Sequence, residues 1–312
     1  MTPKFSVIVP LYNKALYVRH ALESIAAQTF RDYEVIVVDD GSTDNSLEVV
    51  SGLKIEDRRL KILTQSNSGV AVARNNGVTA SKGEYVCFLD ADDWWEVGFL
   101  KAMDDAIKQY PQAGLYATSY NIVRNSQPWM PLKGMKAGVI DYFKSYYFNS
   151  YAMPVWTGAV CIPRKVFEKL GGFNPMLKMA EDFDLWVRIA LKYPVYFINQ
   201  PLANYNQDVQ VKWRAIGKLV DPKHHFVFHS DYLKPYEEKN ADVRHVVDMV
   251  RIACLKQYYL SRKYHSLAEK ELKKIDIDQY RDKDFASYLW QPLWKERMRF
   301  YLNAMIKMIK NR

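Results

Sequence analysis

Short segments rich in valine and isoleucine alternate with helical segments along the N-terminal part of the chain, and this alternation limits the fold more than any other feature. The apolar segments are FSVIVPL at 5–11, YEVIVVD at 33–39, LKILTQ at 60–65 and GEYVCFLD at 83–90. Helices are predicted between them at 15–28, 46–53 and 68–81. Strands that alternate with helices in this way predict a mostly parallel sheet with flanking helices on both faces. The predicted fold class is therefore α/β.

Polar residues stand where three of these strands end. They are Pro10 and Tyr12 after the first strand, Asp39 and Asp40 after the second, and Asp90 and Asp92 after the fourth. A single aspartate at a strand end is more often a turn residue or a helix cap than a catalytic group. Ligands of open α/β sheets bind beyond the carboxyl ends of the strands, so three such ends together predict a binding crevice.

The sequence contains no glycine-rich phosphate loop. Neither G-x-G-x-x-G nor G-x-x-x-x-G-K-[ST] occurs, which argues against a dinucleotide fingerprint and against a P-loop. Asp90, Asp92 and Asp93 lie within four residues of each other, where like charges repel. Two carboxylates spaced D-x-D can bind Mg²⁺ or Mn²⁺, which complete their coordination with water and substrate phosphates. We therefore expect a divalent cation that bridges to a diphosphate.

Six motifs together resemble family 2 of the inverting glycosyltransferases, which have the Rossmann-like GT-A fold. They are VIVPLYN, VIVVDDGSTD, NSGVAVARNNG, YVCFLDADD, GGFNP and AEDFDLWVRI, and they span roughly residues 4–205. The resemblance implies an enzyme that moves a sugar from a nucleotide diphosphate donor, usually a UDP-sugar, to a hydroxyl of a glycan or lipid-linked glycan, with inversion. We expect a catalytic domain at 1–205 and a mainly helical C-terminal extension at 206–312.

The same resemblance assigns roles around the nucleotide. Asp40 matches the carboxylate that accepts a hydrogen bond from the base, while Pro10 and Tyr12 match residues that pack around that base. Asp39 is expected to orient the loop. Arg74, in ARNNG, matches a position near the nucleotide, where a permanent cation suits a diphosphate. A surface arginine on the helix is the alternative.

The resemblance also assigns the metal ligands and the base. Asp90 and Asp92 match the D-x-D pair, with Asp92 the more direct ligand, and Asp93 is expected to support them or to cap a helix. Asp182, in AEDFDLWVRIA, matches the general base that deprotonates the acceptor hydroxyl. The positions of Glu181 and Asp182 also have a structural explanation, because the helix dipole favours carboxylates at the start of a helix. The implied reaction is one in-line displacement without a covalent intermediate.

Two residues between the metal and base motifs are candidates for the acceptor site. Trp156 and Thr157 lie in residues 110–180, the region whose pocket shape is expected to select the donor sugar and the acceptor. Flat aromatic rings stack well on sugars, so Trp156 could contact the acceptor. Packing in the core accounts for Trp156 equally well.

The C-terminal part of the chain is basic. Residues 251–312 carry 15 Lys or Arg against 7 Asp or Glu, within a chain whose net charge is +9. In the last helical segment Trp294, Met298, Tyr301, Met305 and Ile309 recur every three or four residues beside Lys295, Arg299, Lys307 and Lys310. This pattern is compatible both with a helix packed on protein and with an interfacial helix on anionic lipid. No nucleic-acid motif is present, so we expect no nucleic-acid partner.

Other features indicate the compartment. The three cysteines are far apart and form no C-x-x-C pair, as expected of reduced thiols in the cytosol. No apolar run is long enough to span a membrane, and the N-terminus does not resemble a signal peptide. We therefore expect a cytoplasmic protein, with peripheral contact to the inner face of the cell membrane as an option.

Two other functions remain compatible with the sequence. A nucleotidyltransferase can share the sheet, the carboxylates and the metal, but is expected to carry a basic, glycine-rich loop where this chain has PLYNKALY. A non-catalytic module that binds sugar nucleotides is opposed only by the presence of every candidate acidic residue. Release of UDP from donor sugars would separate the three functions.

Overall fold

The computed structural model describes residues 2–53, 59–148, 152–209 and 219–310, with side chains throughout except at 147–148 and 304–310. The chain forms two compact units, Met1–Val209 and Gln210–Arg312. The first unit contains a mixed sheet with helices, and the second is helical in the part that is described.

One sheet organises the first unit. Its strands are β1 (Phe5–Leu11), β2 (Tyr33–Asp39), β3 (Leu60–Thr64), β4 (Tyr85–Phe88), β5 (Trp94–Trp95), β6 (Leu115–Arg124), β7 (Gln127–Trp129), β8 (Gly138–Ile140), β9 (Val160–Pro163) and β10 (Val195–Asn206). Their order is β3-β2-β1-β4-β9-β6-β10-β5, while β7 pairs with β6 and β8 pairs with β10. The pairs β3-β2, β2-β1, β1-β4 and β6-β10 are parallel, so most neighbours along this path run in the same direction.

Helices connect and follow these strands. In the first unit they are α1 (Val18–Ala26), α2 (Ser46–Ser51), α3 (Val70–Ala80), α4 (Phe99–Gln109), α5 (Tyr142–Phe148), α6 (Arg164–Lys169) and α7 (Glu181–Ala190), with a 3-10 turn at Thr157–Ala159. In the second unit they are α8 (Lys234–Glu237), α9 (Ala241–Leu260), α10 (His265–Leu272) and α11 (Leu293–Lys310). Further 3-10 turns of the second unit are Pro222–His224, Phe226–Phe228, Asp231–Leu233, Ile277–Tyr280 and Asp284–Leu289.

The α/β class predicted from the sequence is confirmed. Strands form at each of the four predicted N-terminal segments, and parallel pairing joins all four in the order β3-β2-β1-β4. β1 and β2 are buried at every position except Pro10, which explains why they are almost continuously apolar. The sequence did not indicate β9, which inserts antiparallel between β4 and β6.

Helix α3 lies very close to strand β1 at one glycine. An ideal Cβ on Gly77 would lie 2.4 Å from Cγ2 of Ile8 and 3.1 Å from Cγ2 of Val38. Ile8 is fully buried and branched at Cβ, so its methyl group cannot turn away without disturbing the strand. The close approach fixes α3, the helix that carries Arg74, against the sheet.

Gly77→Ala is therefore expected to lower the free energy of unfolding by ~1–3 kcal/mol, the usual cost of forcing an extra carbon into a packed core. The better helix propensity of alanine, worth ~1 kcal/mol, offsets part of the clash. Denaturant unfolding followed by circular dichroism measures the change. Gly134→Ala is the control, because a Cβ at Gly134 meets no atom within 4 Å and this residue does not have a left-handed backbone conformation. Equal stability of the two variants would contradict the close packing of α3.

A buried ion-pair network lies in the second unit. Arg251 donates to the two carboxylate oxygens of Glu237 at 2.8 and 2.9 Å, to Asp248 at 3.3 Å and to the hydroxyl of Ser230 at 3.0 Å. All four side chains are buried, and a buried cation needs several acceptors to offset the loss of water. The network joins α9 to α8 and to the turn at Ser230.

No helix in the described ranges combines the length and the apolar character that crossing a membrane requires.

Candidate active site

The carboxyl ends of β1, β2 and β4 lie at one edge of the sheet. Parallel pairing places Leu11 beside Asp39 and Ile8 beside Phe88. The backbone N–H of Asp40 donates to the carbonyl of Leu11 at 2.8 Å, so the two chain segments stay together beyond the end of the strands. The polar residues that follow the three strands therefore emerge at a common edge, where α/β sheets bind their ligands.

Asp40 is buried and holds the loop that begins helix α3. Its carboxylate accepts hydrogen bonds from Gln65 Nε2 at 2.7 Å, Ser68 N at 2.8 Å and Gly69 N at 2.9 Å. Gln65 accepts in turn from Asn76 Nδ2 at 2.7 Å. A carboxylate has about four acceptor positions, so Asp40 keeps capacity for about one further N–H group.

The loop after β1 is bonded to the loop after β2. Asn13 Oδ1 accepts from Thr43 N at 2.7 Å and from Asp44 N at 3.3 Å. Asn13 has a φ of 53°, a left-handed conformation that asparagine adopts more readily than most residues. Pro10 is partly buried and Tyr12 is exposed, and both precede this turn. The two residues expected to pack around a base thus lie on a backbone segment that is fixed at its end.

Each aspartate of the D-x-D pair faces a cation. Arg74 Nη2 donates to Asp90 Oδ1 at 2.7 Å, and Lys14 Nζ donates to Asp92 Oδ2 at 2.5 Å. The side chains of Lys14 and Asp92 are only 15% and 19% exposed, so water screens their attraction incompletely. The pKa of Asp92 is raised, chiefly by burial, with Lys14 acting against the rise and Asp90 adding to it.

Asp93 is buried and bonded to the backbone. Its Oδ1 accepts from Asn206 N at 2.7 Å, and its own N–H donates to the Asp90 carbonyl at 3.0 Å. Burial and the charges of Asp92 and Asp90 raise the pKa of Asp93 well above its ordinary value. Asp93 therefore ties the end of β10 to the turn that carries the D-x-D pair.

Arg74 joins the D-x-D turn to the start of helix α7. Besides Asp90 it binds Glu181, with 3.0 Å between Nη1 and Oε1. Its side chain is buried, and the guanidinium carbon lies 5.1 Å from the ring centre of Phe173. Burial acts to lower the pKa of Arg74, but the attraction of Asp90 and Glu181 outweighs it and raises that pKa. Arg74 is therefore a permanent cation that holds two acidic motifs together.

The predicted base stands in the first turn of α7. Asp182 Oδ2 accepts from the hydroxyl of Thr157 at 3.0 Å, and Asp182 Oδ1 accepts from Phe183 N at 2.7 Å. Glu181, its neighbour, is largely buried. The pKa of Glu181 is about 7, raised first by burial and then by the charge of Asp182, against the attraction of Arg74.

The first turn of α7 is strained and clamped. Ala180 has a φ of 58°, a left-handed conformation that costs a residue with a Cβ ~1–2 kcal/mol. Four residues on, Asp184 accepts two hydrogen bonds from Arg188, at 2.7 and 2.9 Å. Arg188 also donates to the carbonyls of Leu170 and Gly172, each at 2.7 Å. Such surrounding contacts allow a strained conformation to persist.

Trp156 packs between two tyrosines. Its ring centre lies 5.4 Å from that of Tyr120 and 5.2 Å from that of Tyr205. The indole is mostly buried, so packing accounts for most of its surface. Thr157, the next residue, is the member of this segment that contacts Asp182.

A role for Lys14 and the pairing of Arg74 with Glu181 were not predicted from the sequence. Lys14 follows β1 in PLYNKALY, and a lysine just beyond a strand end was an available signal. Arg74 binds residues that lie 16 and 107 positions away along the chain. Local spacing does not reveal pairs of that kind.

The carboxylates can hold a metal only with help from a ligand. Within the ranges that the structure describes, no group of three or more His, Cys, Asp or Glu side chains is arranged to hold a metal ion. Asp90 and Asp92 supply two hard oxygen donors, and Mg²⁺ or Mn²⁺ commonly binds one or two protein carboxylates with water and substrate phosphates. The residues present fit such an ion as part of a complex with a phosphate ligand.

One family model and several known proteins resemble this chain. A family model described as Glycosyl transferase family 2 matches residues 6–171, just over half of the chain. The amylovoran biosynthesis glycosyltransferase AmsB of Erwinia amylovora is 30% identical over 246 residues, which cover 74% of this chain and 78% of AmsB. The hyaluronan synthase of Pasteurella multocida is 28% identical over 233 residues, which cover 72% of this chain. The chain spans only 22% of the length of that synthase.

A solved structure resembles nearly the whole chain. Residues 1–349 of S. aureus TarS in complex with UDP-GlcNAc give a TM-score of 0.63 at 20% identity, covering 95% of this chain and 79% of that chain. At this identity the likeness shows the fold alone. It confirms the predicted GT-A fold with a helical C-terminal extension.

Proposed function

The chain belongs to family 2 of the glycosyltransferases, and we propose that it transfers a sugar from a nucleotide diphosphate donor to a hydroxyl group, with inversion at the anomeric carbon. The proposed donor is a UDP-sugar, and TarS binds UDP-GlcNAc in the resembling structure. The proposed acceptor is a glycan or a lipid-linked glycan, since the names of two relatives refer to amylovoran biosynthesis and hyaluronan synthesis.

The double ion pair of Arg74 is the observation that carries this proposal. It brings Asp90, in the motif proposed to hold the diphosphate, together with Glu181, the neighbour of the proposed base. An inverting transferase has to hold a leaving group and activate an acceptor around one sugar carbon, which requires fixed relative positions. A cation that binds both motifs at once supplies that rigidity.

Asp90 and Asp92 are the proposed ligands of Mg²⁺ or Mn²⁺. Such an ion, when it is bound with the donor, supplies positive charge that stabilises the departing diphosphate. Arg74 and Asp93 hold the turn on which both carboxylates stand. The positive charge of Arg74 also favours a diphosphate nearby, although its hydrogen bonds go to Asp90 and Glu181.

The nucleotide base is proposed to bind at the ends of β1 and β2. Asp40 accepts an N–H group of the base through its remaining acceptor capacity, while Pro10 and Tyr12 pack around the ring. Tyr12 is exposed, so its ring is accessible to a ligand. Asp40 cannot turn away, because three hydrogen bonds already fix its carboxylate.

Asp182 is the proposed general base. It takes the proton of the acceptor hydroxyl while the oxygen attacks the anomeric carbon, and the diphosphate leaves in the same step. Thr157 donates to one oxygen of Asp182 and so fixes the orientation of the carboxylate. No nucleophilic side chain is needed.

A donor panel tests the function directly. The full chain is incubated with different nucleotide sugars and Mn²⁺, and the release of UDP is measured with and without glycan acceptors. Transfer or slow hydrolysis from at least one UDP-sugar is expected. Pyrophosphate release from a nucleoside triphosphate and a sugar phosphate would instead indicate a nucleotidyltransferase. Tight UDP binding without turnover of any donor would indicate a binding module.

The described part of helix α11 supports a peripheral contact with a membrane. Trp294 is 69% exposed, and Met298, Tyr301 and Leu302 are also exposed, so they form an apolar stripe open to solvent. Lys295 and Arg299 stand beside this stripe. Aromatic and aliphatic side chains next to cations are typical of helices that lie on anionic lipid. The predicted positions Met305 and Ile309 lie outside the described side chains.

Replacing Trp294 and Met298 together by serine is expected to weaken binding to vesicles of anionic phospholipid by roughly tenfold or more, because each apolar side chain contributes on the order of 1 kcal/mol when partly buried. Vesicle co-sedimentation measures the change, and UDP release should stay the same. Trp129→Ser is the matched control, since Trp129 is 62% exposed but lies on β7. Unchanged vesicle binding of the double variant would refute the membrane contact.

A further inference from the structure

Lys14 is a charged residue of the candidate active site to which the proposed reaction gives no role. Its ammonium group is the hydrogen-bond partner of Asp92 in the D-x-D motif. Both side chains are more than four-fifths buried, so this is not a screened surface pair.

The backbone of Lys14 is fixed on both sides. Its N–H donates to Ser46 Oγ at 2.8 Å, and its carbonyl accepts from Tyr17 N and Val18 N at 2.9 Å. The next N–H, that of Ala15, donates to Asp44 Oδ2 at 3.2 Å. Any change of position therefore takes place in the four-carbon side chain, which is flexible in lysine.

Arg74 and Lys14, both in the candidate active site, differ in kind. Arg74 is buried and bound to two carboxylates, so it is locked. Lys14 has a compact ammonium group on a rotatable stem, and it lies three residues beyond Leu11, the last residue of β1. Arg74 is thus held in place by two carboxylates, whereas the flexible stem of Lys14 allows its ammonium group to move.

Lys14 and a divalent cation would bind the same carboxylate, that of Asp92. A metal bound to this carboxylate has to share it with a positive ammonium group, which weakens the binding of the metal. A diphosphate that arrives with the metal offers Lys14 a set of strongly negative oxygens as new acceptors. The ammonium group can then leave Asp92 without losing a charged partner.

We propose that Lys14 is a donor-binding residue that opposes the binding of free metal at Asp92 and turns to the diphosphate when metal and nucleotide bind together. This inference rests on the proposed function of the crevice. It gives the chain a means to bind metal and donor as one complex, with little occupancy by metal alone. Lys14 contributes to the specificity for a diphosphate and takes no part in proton transfer.

The test is a pair of titrations on Lys14→Met in the full chain, which removes the charge and keeps the length of the side chain. Calorimetric titration with Mn²⁺ alone should show tighter binding than in the parent, by about fivefold or more. Titration with UDP at saturating Mn²⁺ should show weaker binding, by roughly tenfold or more, because a hydrogen bond to a charged group is lost. The two effects have opposite signs, which a general loss of structure does not produce.

Lys61→Met is the control, because Lys61 also pairs with a buried carboxylate, that of Glu34 at 2.8 Å, near the opposite end of the parallel strands. It should leave both affinities unchanged. If Lys14→Met fails to fold, Lys14→Gln carries the same two expectations. Mn²⁺ affinity that does not rise, or UDP affinity that does not fall, overturns the role of Lys14. A parent chain that binds no UDP at all overturns the proposed function instead.

Discussion

Asp182→Asn is expected to lower the rate of sugar transfer by ~10²- to 10⁴-fold, the usual contribution of a positioned general base. Asparagine keeps the size of the side chain but cannot take the proton of the acceptor hydroxyl. The affinity for UDP should barely change, because the proposed nucleotide contacts lie at Asp40 and at the D-x-D pair. Transfer rates and UDP affinities are measured side by side on the parent and on the variant.

The choice of control for this experiment follows from the contacts of α7. Asp184 lies two residues along the same helix, but it is buried and orients Arg188, which also donates to the carbonyls of Leu170 and Gly172 and so holds the helix against that loop. Its substitution would disturb the turn that carries Asp182. Asp105→Asn is cleaner, since Asp105 is exposed and pairs only with Lys101 among the salt bridges described. Asp105→Asn should leave the transfer rate unchanged.

The outcome of this experiment distinguishes a catalytic role of Asp182 from a structural one. A loss of UDP affinity in Asp182→Asn, or a transfer rate close to that of the parent, would refute the assignment of the base. Slow donor hydrolysis is a further readout, because water is a poor acceptor that depends on the same base.

The parts of the site that depend on residues close together in the sequence could be predicted. Apolar runs that end in aspartate predicted strands, and the parallel pairing of β1, β2 and β4 brings Asp40 and the D-x-D pair to one edge. Period and composition are sufficient for this, because a buried parallel strand is apolar along its whole length. Glu181 and Asp182 were also expected at a helix start, and α7 begins at Glu181.

The contacts that connect these local pieces were not predicted. Arg74 was expected near a diphosphate, whereas the structure gives its side chain two carboxylate partners, Asp90 and Glu181. The contact of Lys14 with Asp92 was not predicted either. Both pairs depend on the tertiary fold, since spacing along the chain says nothing about which loop returns to which strand end. The antiparallel strand β9 was also not predicted, because an apolar segment of four residues has no periodicity that distinguishes a strand from a helix.

Asp92→Asn is expected to abolish metal-dependent binding of UDP as well as sugar transfer. The variant loses a charged ligand of the proposed metal, and metal-bound charge contributes several kcal/mol, so UDP affinity in Mn²⁺ should fall by ~10²-fold or more. Calorimetric titration with UDP, with and without Mn²⁺, measures this directly. In the variant the two affinities should be the same.

Asp104→Asn tests whether losing any buried aspartate that pairs with lysine has the same effect. Asp104 is buried and pairs with Lys4 and, at 2.7 Å, with Lys108. It lies on α4, away from the proposed ligands in the sequence, and its substitution should leave the metal-dependent UDP affinity intact.

Asp92→Asn also frees the ammonium group of Lys14 from its carboxylate partner, so a weak UDP affinity that needs no metal should remain. Metal-dependent affinity in Asp92→Asn equal to that of the parent would show that Asp92 is not a metal ligand, and an equal loss in both variants would reduce its role to that of a structural ion pair.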